Sequence, residues 1–276
     1  MLTPSDCTKP VSVGHPSATL PSEASVALPS ATVIVPTYRE AESLPELLRR
    51  VERVRAQHAL DLSLLIVDDH SGDGAGELVD RFAKPWATLV DRRGERSLSH
   101  AVVDGIRLAQ GDAIVIMDGD GSHPSERIPD LLRALSEGQR AALGSRYVAG
   151  GSTDVDWGFG RWLNSRIATW LARQLTRVRD PMAGFFAMWR RDVPEHLDPI
   201  GYKIVLELIV RSGLDDVAEI PIHFAKRQHG ASKLGLREQL AYLRHLRRLY
   251  AHRLVPRTAM PVVRRPLNSD ADVAAR

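Results

Sequence analysis

The sequence predicts an α/β fold with a doubly wound, mainly parallel β-sheet and helices on both faces. Three observations predict it. Short, continuous apolar segments, typical of strands buried on both faces, recur through the first half of the chain. Segments with apolar residues at helical spacing separate them. Polar or charged residues follow four of the apolar segments directly, as happens where parallel strands end at a ligand-binding crevice.

The first half of the chain alternates strand and helix. In the first helix the apolar residues repeat every three or four positions from Leu44 to Val54, and Pro124 marks the first turn of the fourth helix. The predicted strands are residues 31–38, 62–69, 87–92, 112–120 and 141–148. The predicted helices between them are residues 41–54, 73–83, 97–110 and 124–138.

The second half is less regular, and both ends are expected to be tails. Its predicted helices and strands are residues 160–178, 184–193, 201–213, 217–225 and 235–252. Residues 1–30 are rich in Pro, Ser, Ala and Thr and lack the basic start and apolar run of a signal peptide, so we expect a disordered tail there. Residues 256–276 are expected to form a flexible C-terminal tail. No segment reaches the roughly 18 to 20 consecutive apolar residues of a membrane span.

Composition and missing motifs exclude several classes of protein. The single cysteine, Cys7, allows no internal disulfide, and no Cys/His cluster suggests a zinc site. The first strand leads into Pro36-Thr37-Tyr38-Arg39-Glu40, not into the glycines of a dinucleotide-binding turn, and no P-loop is present. The sequence pI is about 9.2, but no nucleic-acid-binding signature accompanies the basic charge, so we expect no nucleic acid partner.

Two pairs of acids end predicted strands. Asp118 and Asp120 follow the most apolar strand; on an extended chain alternate side chains point the same way, so both carboxylates are expected to converge on one point. Such carboxylates repel each other unless a cation such as Mg²⁺ or Mn²⁺ lies between them. The other interpretation is a simple turn. Asp68 and Asp69 could bind a base or ribose edge, or could cap a helix or turn.

Seven motifs, in order, resemble glycosyltransferase family 2, and within it the dolichyl- and polyprenyl-phosphate mannose synthases. The resemblance runs from about residue 31 to about residue 235. The motifs are VIVPTYREAESL, LLIVDDHSGDG, GDAIVIMDGDGSHPSE, ALGSRYVAGG, RDPMAGFFAMWRRDV, GYKIVLELIVR and IHFAKRQHGASKL. One departure lies after the third strand, where Ser97-Leu98-Ser99 replaces the Gly-Leu-Gly of many members.

The resemblance implies a GT-A catalytic domain over residues 31–235 that needs Mg²⁺ or Mn²⁺. It implies inverting transfer of mannose from GDP-mannose onto a polyprenyl (dolichyl-type) phosphate. One alternative is UDP-glucose or another nucleotide-sugar donor, with a lipid-phosphate or saccharide acceptor. Another is a non-catalytic, transferase-like subunit, which would be expected to have lost the metal carboxylates; Asp118 and Asp120 are both present.

The resemblance also implies roles for individual residues. The metal and arginines would stabilise the charge that builds on the leaving diphosphate. A lipid monophosphate is already largely anionic at neutral pH, so no general base is nominated. The nucleotide-sugar residues would be Pro36, Tyr38, Glu40, Asp68 or Asp69, Asp118 and Lys233, the metal ligands Asp118, Asp120 and Ser122, and the catalytic residues Asp120, Arg146 and Arg227.

A basic amphipathic helix is predicted near the C-terminus, over residues 236–255. Its predicted apolar stripe is Leu236, Leu240, Leu243, Leu246 and Tyr250, with arginines on either side. Such a helix can lie on an anionic membrane, or it can pack on the core with a solvated basic face. The segment around Trp162, Arg166 and Trp170 is either a second interfacial element or core. We expect a peripheral protein on the cytoplasmic face of a membrane, with a membrane-embedded partner subunit as a further hypothesis.

Overall fold

The computed structural model describes residues 27–82, 84–154, 159–226 and 235–254, with backbone alone at 159–165 and 236. The strands are β1 (Ala31–Thr37), β2 (Leu62–Asp68), β3 (Ala87–Asp91), β4 (Ala113–Ile116), β5 (Ala141–Ser145), β6 (Ser152–Thr153), β7 (Phe186–Trp189), β8 (Ala218–Pro221) and β9 (His223–Phe224). The helices are α1 (Leu44–His58), α2 (Ala75–Phe82), α3 (Leu98–Leu108), α4 (Ile128–Ser136), α5 (Phe159–Arg173), α6 (Ile204–Arg211) and α7 (Leu236–Leu254).

Seven strands form one sheet in the order β3-β2-β1-β4-β7-β5-β8. β7 runs antiparallel to both of its neighbours, and the other four pairs are parallel. The predicted mainly parallel α/β sheet is therefore confirmed. The reversed direction of β7 was not predicted, since an apolar strand has the same residue pattern in either direction. β6 and β9 pair separately as a short two-stranded sheet.

Both faces of the central strands are covered, which explains why those strands are apolar at nearly every position. Val33 and Val35 of β1 contribute to a core with α1, α2 and α4. Ile34, between them, contributes to the opposite core with α3 and α6. Because successive strand residues point to opposite faces, a strand covered on both sides needs an apolar residue at nearly every position.

A third apolar cluster joins α5, α6 and α7. Tyr242, Leu246 and Leu249 of α7 pack there with Ala172 of α5 and Leu206 of α6. The Tyr242 hydroxyl donates a hydrogen bond of 2.8 Å to the carbonyl of Ala168. α7 therefore docks on the body of the protein by one of its faces.

The predicted apolar stripe of α7 is wrong in part. Leu246 is buried, but Leu240 and Leu243 are 55 % and 52 % exposed. The face that docks on the core instead carries Tyr242, His245 and Leu249, which the stripe omitted, together with Leu246. The side chain of Leu236 lies outside the described residues. Leu240 and Leu243 therefore face outward.

α6 carries a buried charge that ties it to α7. The Glu207 carboxylate accepts hydrogen bonds from Arg211 Nε at 2.7 Å and from the backbone N–H of Asp198 at 2.9 Å. His245 Nε2 lies 3.1 Å from its other oxygen. Burial alone would raise the pKa of Glu207, but these partners hold it below its ordinary value. Glu207 is therefore ionised within the packed helices at neutral pH.

Among the described helices, none combines the length and the apolar content that crossing a bilayer requires. Residues 1–26 and 255–276 lie outside the described residues, so the two predicted tails remain predictions. The chain just before β1 is anchored, since the Ser30 hydroxyl donates a 2.7 Å hydrogen bond to Asp112.

Candidate active site

The carboxyl ends of the central strands meet at one edge of the sheet. Thr37 at the end of β1 pairs with Asp68 of β2, which pairs with Asp91 of β3. β4 lies on the other side of β1, and the backbone N–H of Met117 donates to the carbonyl of Ile34 at 3.1 Å. The strand order departs from β1 in both directions, and in sheets of this kind the ligand crevice is expected outside the carboxyl ends of the strands at such a switch point.

The acidic motif lies in the turn after β4. β4 ends at Ile116, and Gly121 has a φ of +77°, which glycine adopts without strain. The predicted extended chain through Asp118 and Asp120 is therefore wrong. The two carboxylates differ in environment: Asp120 is buried, whereas the Asp118 side chain is 29 % exposed. Asp118 thus faces the crevice and Asp120 lies beneath it.

Asp120 is held by the motif itself. One of its oxygens accepts hydrogen bonds from the backbone N–H of Ser122 at 3.0 Å and from the Ser122 hydroxyl at 2.5 Å. The Ser122 hydroxyl, predicted as a metal ligand, is therefore a donor to Asp120 in this arrangement. Its part in metal binding stays a prediction.

The acidic motif offers the oxygen donors that Mg²⁺ and Mn²⁺ prefer. Within the described ranges no three His, Cys, Asp or Glu side chains are grouped as a complete metal site. Two carboxylates still fit a divalent ion of this kind, because such ions commonly take one or two protein carboxylates together with substrate phosphates and water. Gly119 keeps the turn close to β1: a Cβ there would lie 3.0 Å from Glu40 Oε2 and 3.1 Å from Thr37 Cγ2.

His123 supports the acidic motif from below. The backbone N–H of Asp118 donates to His123 Nδ1 at 2.9 Å. The ring stacks on Phe185 with centroids 5.4 Å apart and meets the edge of Phe224 at 5.3 Å. Burial lowers the pKa of His123, against the opposing effect of the Asp118 and Asp120 carboxylates. His123 is therefore a neutral acceptor that fixes the backbone at Asp118.

Arg146 lies close to His123 and the acidic motif, in a buried ion pair with Asp180. Its Nε and Nη2 each donate to the Asp180 carboxylate at 2.7 Å, and its backbone N–H donates at 3.1 Å. Its guanidinium carbon is 5.3 Å from the Phe224 ring centroid. Burial alone would lower the pKa of Arg146, but Asp180 keeps it above its ordinary value, and Asp118 adds to this effect. A permanently charged arginine is thus held close to the acidic motif.

The comparison with protein families decides the classification. The family model "Glycosyl transferase family 2" matches residues 32–197. The chain belongs to glycosyltransferase family 2. Its relatives in the family include the dolichol-phosphate mannosyltransferase of Pyrococcus furiosus, 40 % identical over 79 % of this chain and 63 % of the relative. The dolichol-phosphate mannosyltransferase of Mycosarcoma maydis is 39 % identical over 82 % of this chain and 80 % of the relative. The chain therefore spans less than two thirds of the Pyrococcus protein and most of the Mycosarcoma one.

Solved structures confirm the fold expected of a family 2 member. Mannosyl-3-phosphoglycerate synthase from Rubrobacter xylanophilus superposes with a TM-score of 0.63 at 17 % identity, over 81 % of this chain and 75 % of that one. Glucosyl-3-phosphoglycerate synthase from Mycobacterium tuberculosis, solved with Mn²⁺, UDP-glucose and phosphoglyceric acid, has a TM-score of 0.62 at 19 % identity, over 80 % of each chain. The family 2 chain has the GT-A fold.

Three residues predicted to line the nucleotide site of this family 2 chain follow one another at the end of β1. Pro36 is buried within the strand. Tyr38 follows it, with Arg96 4.5 Å and Arg39 5.3 Å from its ring centroid. Glu40 lies against the acidic motif at Gly119. All three therefore lie in or directly after the last part of β1, and their contact with a nucleotide stays a prediction.

Both acids at the end of β2 have partners within the protein. Asp68 accepts hydrogen bonds from the Thr37 hydroxyl at 2.9 Å and from the backbone and hydroxyl of Ser71, both at 2.7 Å. Asp69 accepts from Arg92 Nη1 at 2.7 Å and from the backbone of Ser97 at 2.8 Å. Both carboxylates are buried and shape the loops around the crevice. The predicted contact of one of them with a base or ribose remains untested.

Two predicted cations, Arg227 and Lys233, lie outside the described residues. The chain leading to them is anchored to the acidic motif, because the backbone N–H of Ala225 donates to the carbonyl of Ser122 at 3.1 Å. The roles of both cations stay predictions.

His123 and Asp180 were not predicted as site residues, although both are within the motifs given above. Asp180 is 34 positions from Arg146. His123 binds the backbone of Asp118 five positions away, but its ring is held by Phe224, about a hundred positions away.

Proposed function

We propose that the chain is an inverting glycosyltransferase that moves mannose from GDP-mannose onto a polyprenyl phosphate. The observation that carries the proposal is the placement of Asp118 at the crevice, with buried Asp120 beneath it and the charged Arg146 beside it. Carboxylates that can hold a divalent cation, next to a permanent cation, suit two substrates that both carry phosphate. The names of the relatives support mannose and a dolichol phosphate as the transferred sugar and the acceptor.

The residues divide the reaction between them. Asp118 and Asp120 would hold a divalent cation, which would supply charge neutralisation for the leaving diphosphate; the Mycobacterium structure, solved with Mn²⁺ and UDP-glucose, supports such a metal. Arg146 supplies a positive charge whose position is fixed by Asp180, so it need not reorganise as negative charge develops. His123 fixes the backbone of the metal-binding turn.

The covalent change needs no general base. An oxygen of the lipid phosphate forms a bond to the anomeric carbon as the bond from that carbon to the GDP oxygen breaks. The electron pair of the broken bond leaves with GDP, and attack from the opposite side inverts the configuration. The attacking phosphate is already anionic at neutral pH. Orientation and charge stabilisation therefore supply the catalysis.

The acceptor is a lipid, and the outer face of α5 and α7 is the surface proposed to meet the membrane. Trp170 and Ile167 of α5 are 63 % and 50 % exposed. Leu240 and Leu243 of α7 also face outward, and the bond from Tyr242 to the carbonyl of Ala168 joins the two helices.

The charges of this surface favour an anionic bilayer as its occupant. Arg237, Arg244 and Arg247 of α7 are exposed, and the acid of that helix in the described residues, Glu238, lies in its first turn. Exposed aromatic and aliphatic side chains among arginines are typical of helices that lie in the membrane interface. The cytoplasmic face is proposed because a single cysteine suits a reducing compartment.

The function is tested by transfer of radiolabelled mannose from GDP-mannose to a short polyprenyl phosphate, with Mg²⁺, Mn²⁺ or EDTA. We expect metal-dependent transfer into the organic phase, lost in Asp120→Ala and kept in Asp130→Ala. Asp130 is the matched control because it is a surface acid of α4 that pairs with Arg127 and Arg133. Transfer from UDP-glucose in place of GDP-mannose would overturn the donor, and no transfer with any donor would overturn the enzyme function. Full turnover by the purified chain alone would exclude an obligatory membrane-embedded partner.

The membrane surface is tested by sedimentation with vesicles of phosphatidylcholine alone or with phosphatidylserine. We expect binding to the anionic vesicles to fall in Leu240→Ser/Leu243→Ser. The control is Leu108→Ser, an exposed leucine on α3. Equal binding by all three proteins would overturn this surface.

A further inference from the structure

The strands β6 and β9 form a short parallel ribbon that is separate from the seven-stranded sheet. Ser152 of β6 pairs with His223 of β9, and the backbone N–H of Asp154 extends the ladder by donating to the carbonyl of Phe224 at 3.1 Å. A pair of strands alone is at best marginally stable in water. Side-chain contacts between the two strands can therefore decide how firmly the ribbon is held.

One side of the ribbon packs on the candidate active site. The Phe224 ring meets the ring of His123 at a centroid distance of 5.3 Å, and the guanidinium carbon of Arg146 is 5.3 Å from its centroid. The next residue, Ala225, donates its backbone N–H to the carbonyl of Ser122 at 3.1 Å. The ribbon is thus joined to the acidic motif by a ring contact and by a backbone hydrogen bond.

On the other side of the ribbon, the His223 ring bridges two residues of the partner segment. Its Nδ1 lies 2.8 Å from the Ser152 hydroxyl, and its Nε2 lies 2.9 Å from the Asp154 carboxylate. Ser152 and Asp154 are alternate residues of an extended segment, so their side chains point the same way. Because an ionised carboxylate can only accept, the neutral ring donates from Nε2 to Asp154 and accepts at Nδ1 from the Ser152 hydroxyl.

We propose that His223 is a positioning residue for transfer: by bridging Ser152 and Asp154 it holds the ribbon together and so keeps Phe224 and Ala225 against the acidic motif. The His223 and Asp154 side chains are 55 % and 54 % exposed, so their pairing adds little to the stability of the whole protein. Its effect is local, on a ribbon of only two strands. The inference rests on the proposed function, since the acidic motif serves transfer only if it holds the metal.

Amide hydrogen exchange of the full chain, followed by NMR, tests the bridge without any substrate. We expect His223→Ala to speed exchange at the backbone N–H groups of Asp154 and Ala225 by about fivefold, the upper end for an exposed pair. The matched control is Lys84→Ala, which removes a similarly exposed ion pair with Glu52 and should leave both amides unchanged. Unchanged exchange at both amides in His223→Ala would overturn the inference.

Metal titration of transfer separates positioning from a general structural role. We expect His223→Ala to raise the Mg²⁺ or Mn²⁺ concentration for half-maximal transfer by about threefold to fivefold, with a melting temperature close to that of wild type. Asp154→Ala should do the same, and the double variant should lose little more, because both changes remove the same bridge. Lys84→Ala should match wild type.

The remaining outcomes each decide against one part of the proposal. Losses that multiply in the double variant would mean that His223 acts independently of Asp154 and would overturn the bridge. Faster exchange with an unchanged metal requirement would overturn the role in transfer. A wild-type protein that transfers no sugar would overturn the proposed function, while the exchange measurement would still decide whether His223 holds the ribbon on the acidic motif.

Discussion

Replacing Asp180 by Asn is expected to destabilise the protein more than any surface charge change. Asp180 is fully buried and accepts three hydrogen bonds from Arg146, whose side chain is itself only 10 % exposed. Removing one partner of a buried pair leaves the other charge without compensation, which costs about 3 to 5 kcal/mol. Asn keeps the shape and one acceptor, and water reaches part of Arg146, so we expect the lower end, about 3 kcal/mol.

Urea denaturation measures this loss as a fall in the free energy of unfolding at an unchanged m-value. Asp130→Asn is the matched control, because Asp130 pairs with two arginines that are each 49 % exposed, and its loss should be below about 1 kcal/mol. The double variant Asp180→Asn/Arg146→Met removes both charges and should recover part of the stability. A loss below about 1 kcal/mol in Asp180→Asn would refute the claim that the pair is buried and that its loss leaves the charge of Arg146 without compensation.

Three further predictions follow from the fold and the turn after β4. Because its partners lower the pKa of Glu207 in the folded state, the stability that this carboxylate adds is complete above its unfolded pKa of about 4.3 and is lost as the pH falls through the folded value. The stability difference between wild type and Glu207→Gln, taken from urea midpoints at pH 7 down to pH 3, should therefore shrink as the pH falls. A difference that stays constant would contradict this prediction. His123→Phe keeps the stacking on Phe185 but removes the acceptor for the backbone N–H of Asp118. We expect the metal concentration that gives half-maximal transfer to rise while the melting temperature changes little. An unchanged metal requirement would count against the role of His123 in fixing the turn. Gly119→Ala places a Cβ 3.0 to 3.1 Å from three neighbouring atoms and should destabilise the protein by about 1 to 3 kcal/mol, with loss of transfer. The control is Gly76→Ala in α2, where nothing lies within 4 Å of the added Cβ, and it should be neutral or stabilising. Equal effects of the two substitutions in denaturation would show that the turn after β4 is loosely packed.

The residue pattern was enough to predict most of the sheet. β1, β2 and β3 begin where predicted and end within one residue of the predicted ends, because continuous apolar segments bounded by polar residues are a local signal. The same signal failed at the end of β4, since Met117 is apolar yet lies beyond the last residue of the strand, and the chain bends from Gly119 onward. The docked face of α7 was not predicted because Tyr242 and His245 are polar enough to be taken for surface, and only packing shows them inward.

The candidate site was predicted as a set of residue types at strand ends, and its working arrangement was not. Motif order located the acids, Arg146 and the segment after β1, because those residues are close to recognisable strands. The partners of these residues come from distant parts of the chain: Asp180 lies 34 positions from Arg146, and Phe224 packs on His123 from the last strand. No local pattern encodes such pairs.

The sequence by itself therefore determined the fold class, the family and the edge of the sheet where chemistry is expected, because alternation of apolar residues and motif order are properties of neighbouring positions. Only the tertiary structure decided that Asp118 is partly exposed while Asp120 is buried, that Asp69 binds both Arg92 and Ser97, and that Arg96 lies over Tyr38. These features depend on burial and on distances across the sheet, which arise once the strands are laid side by side.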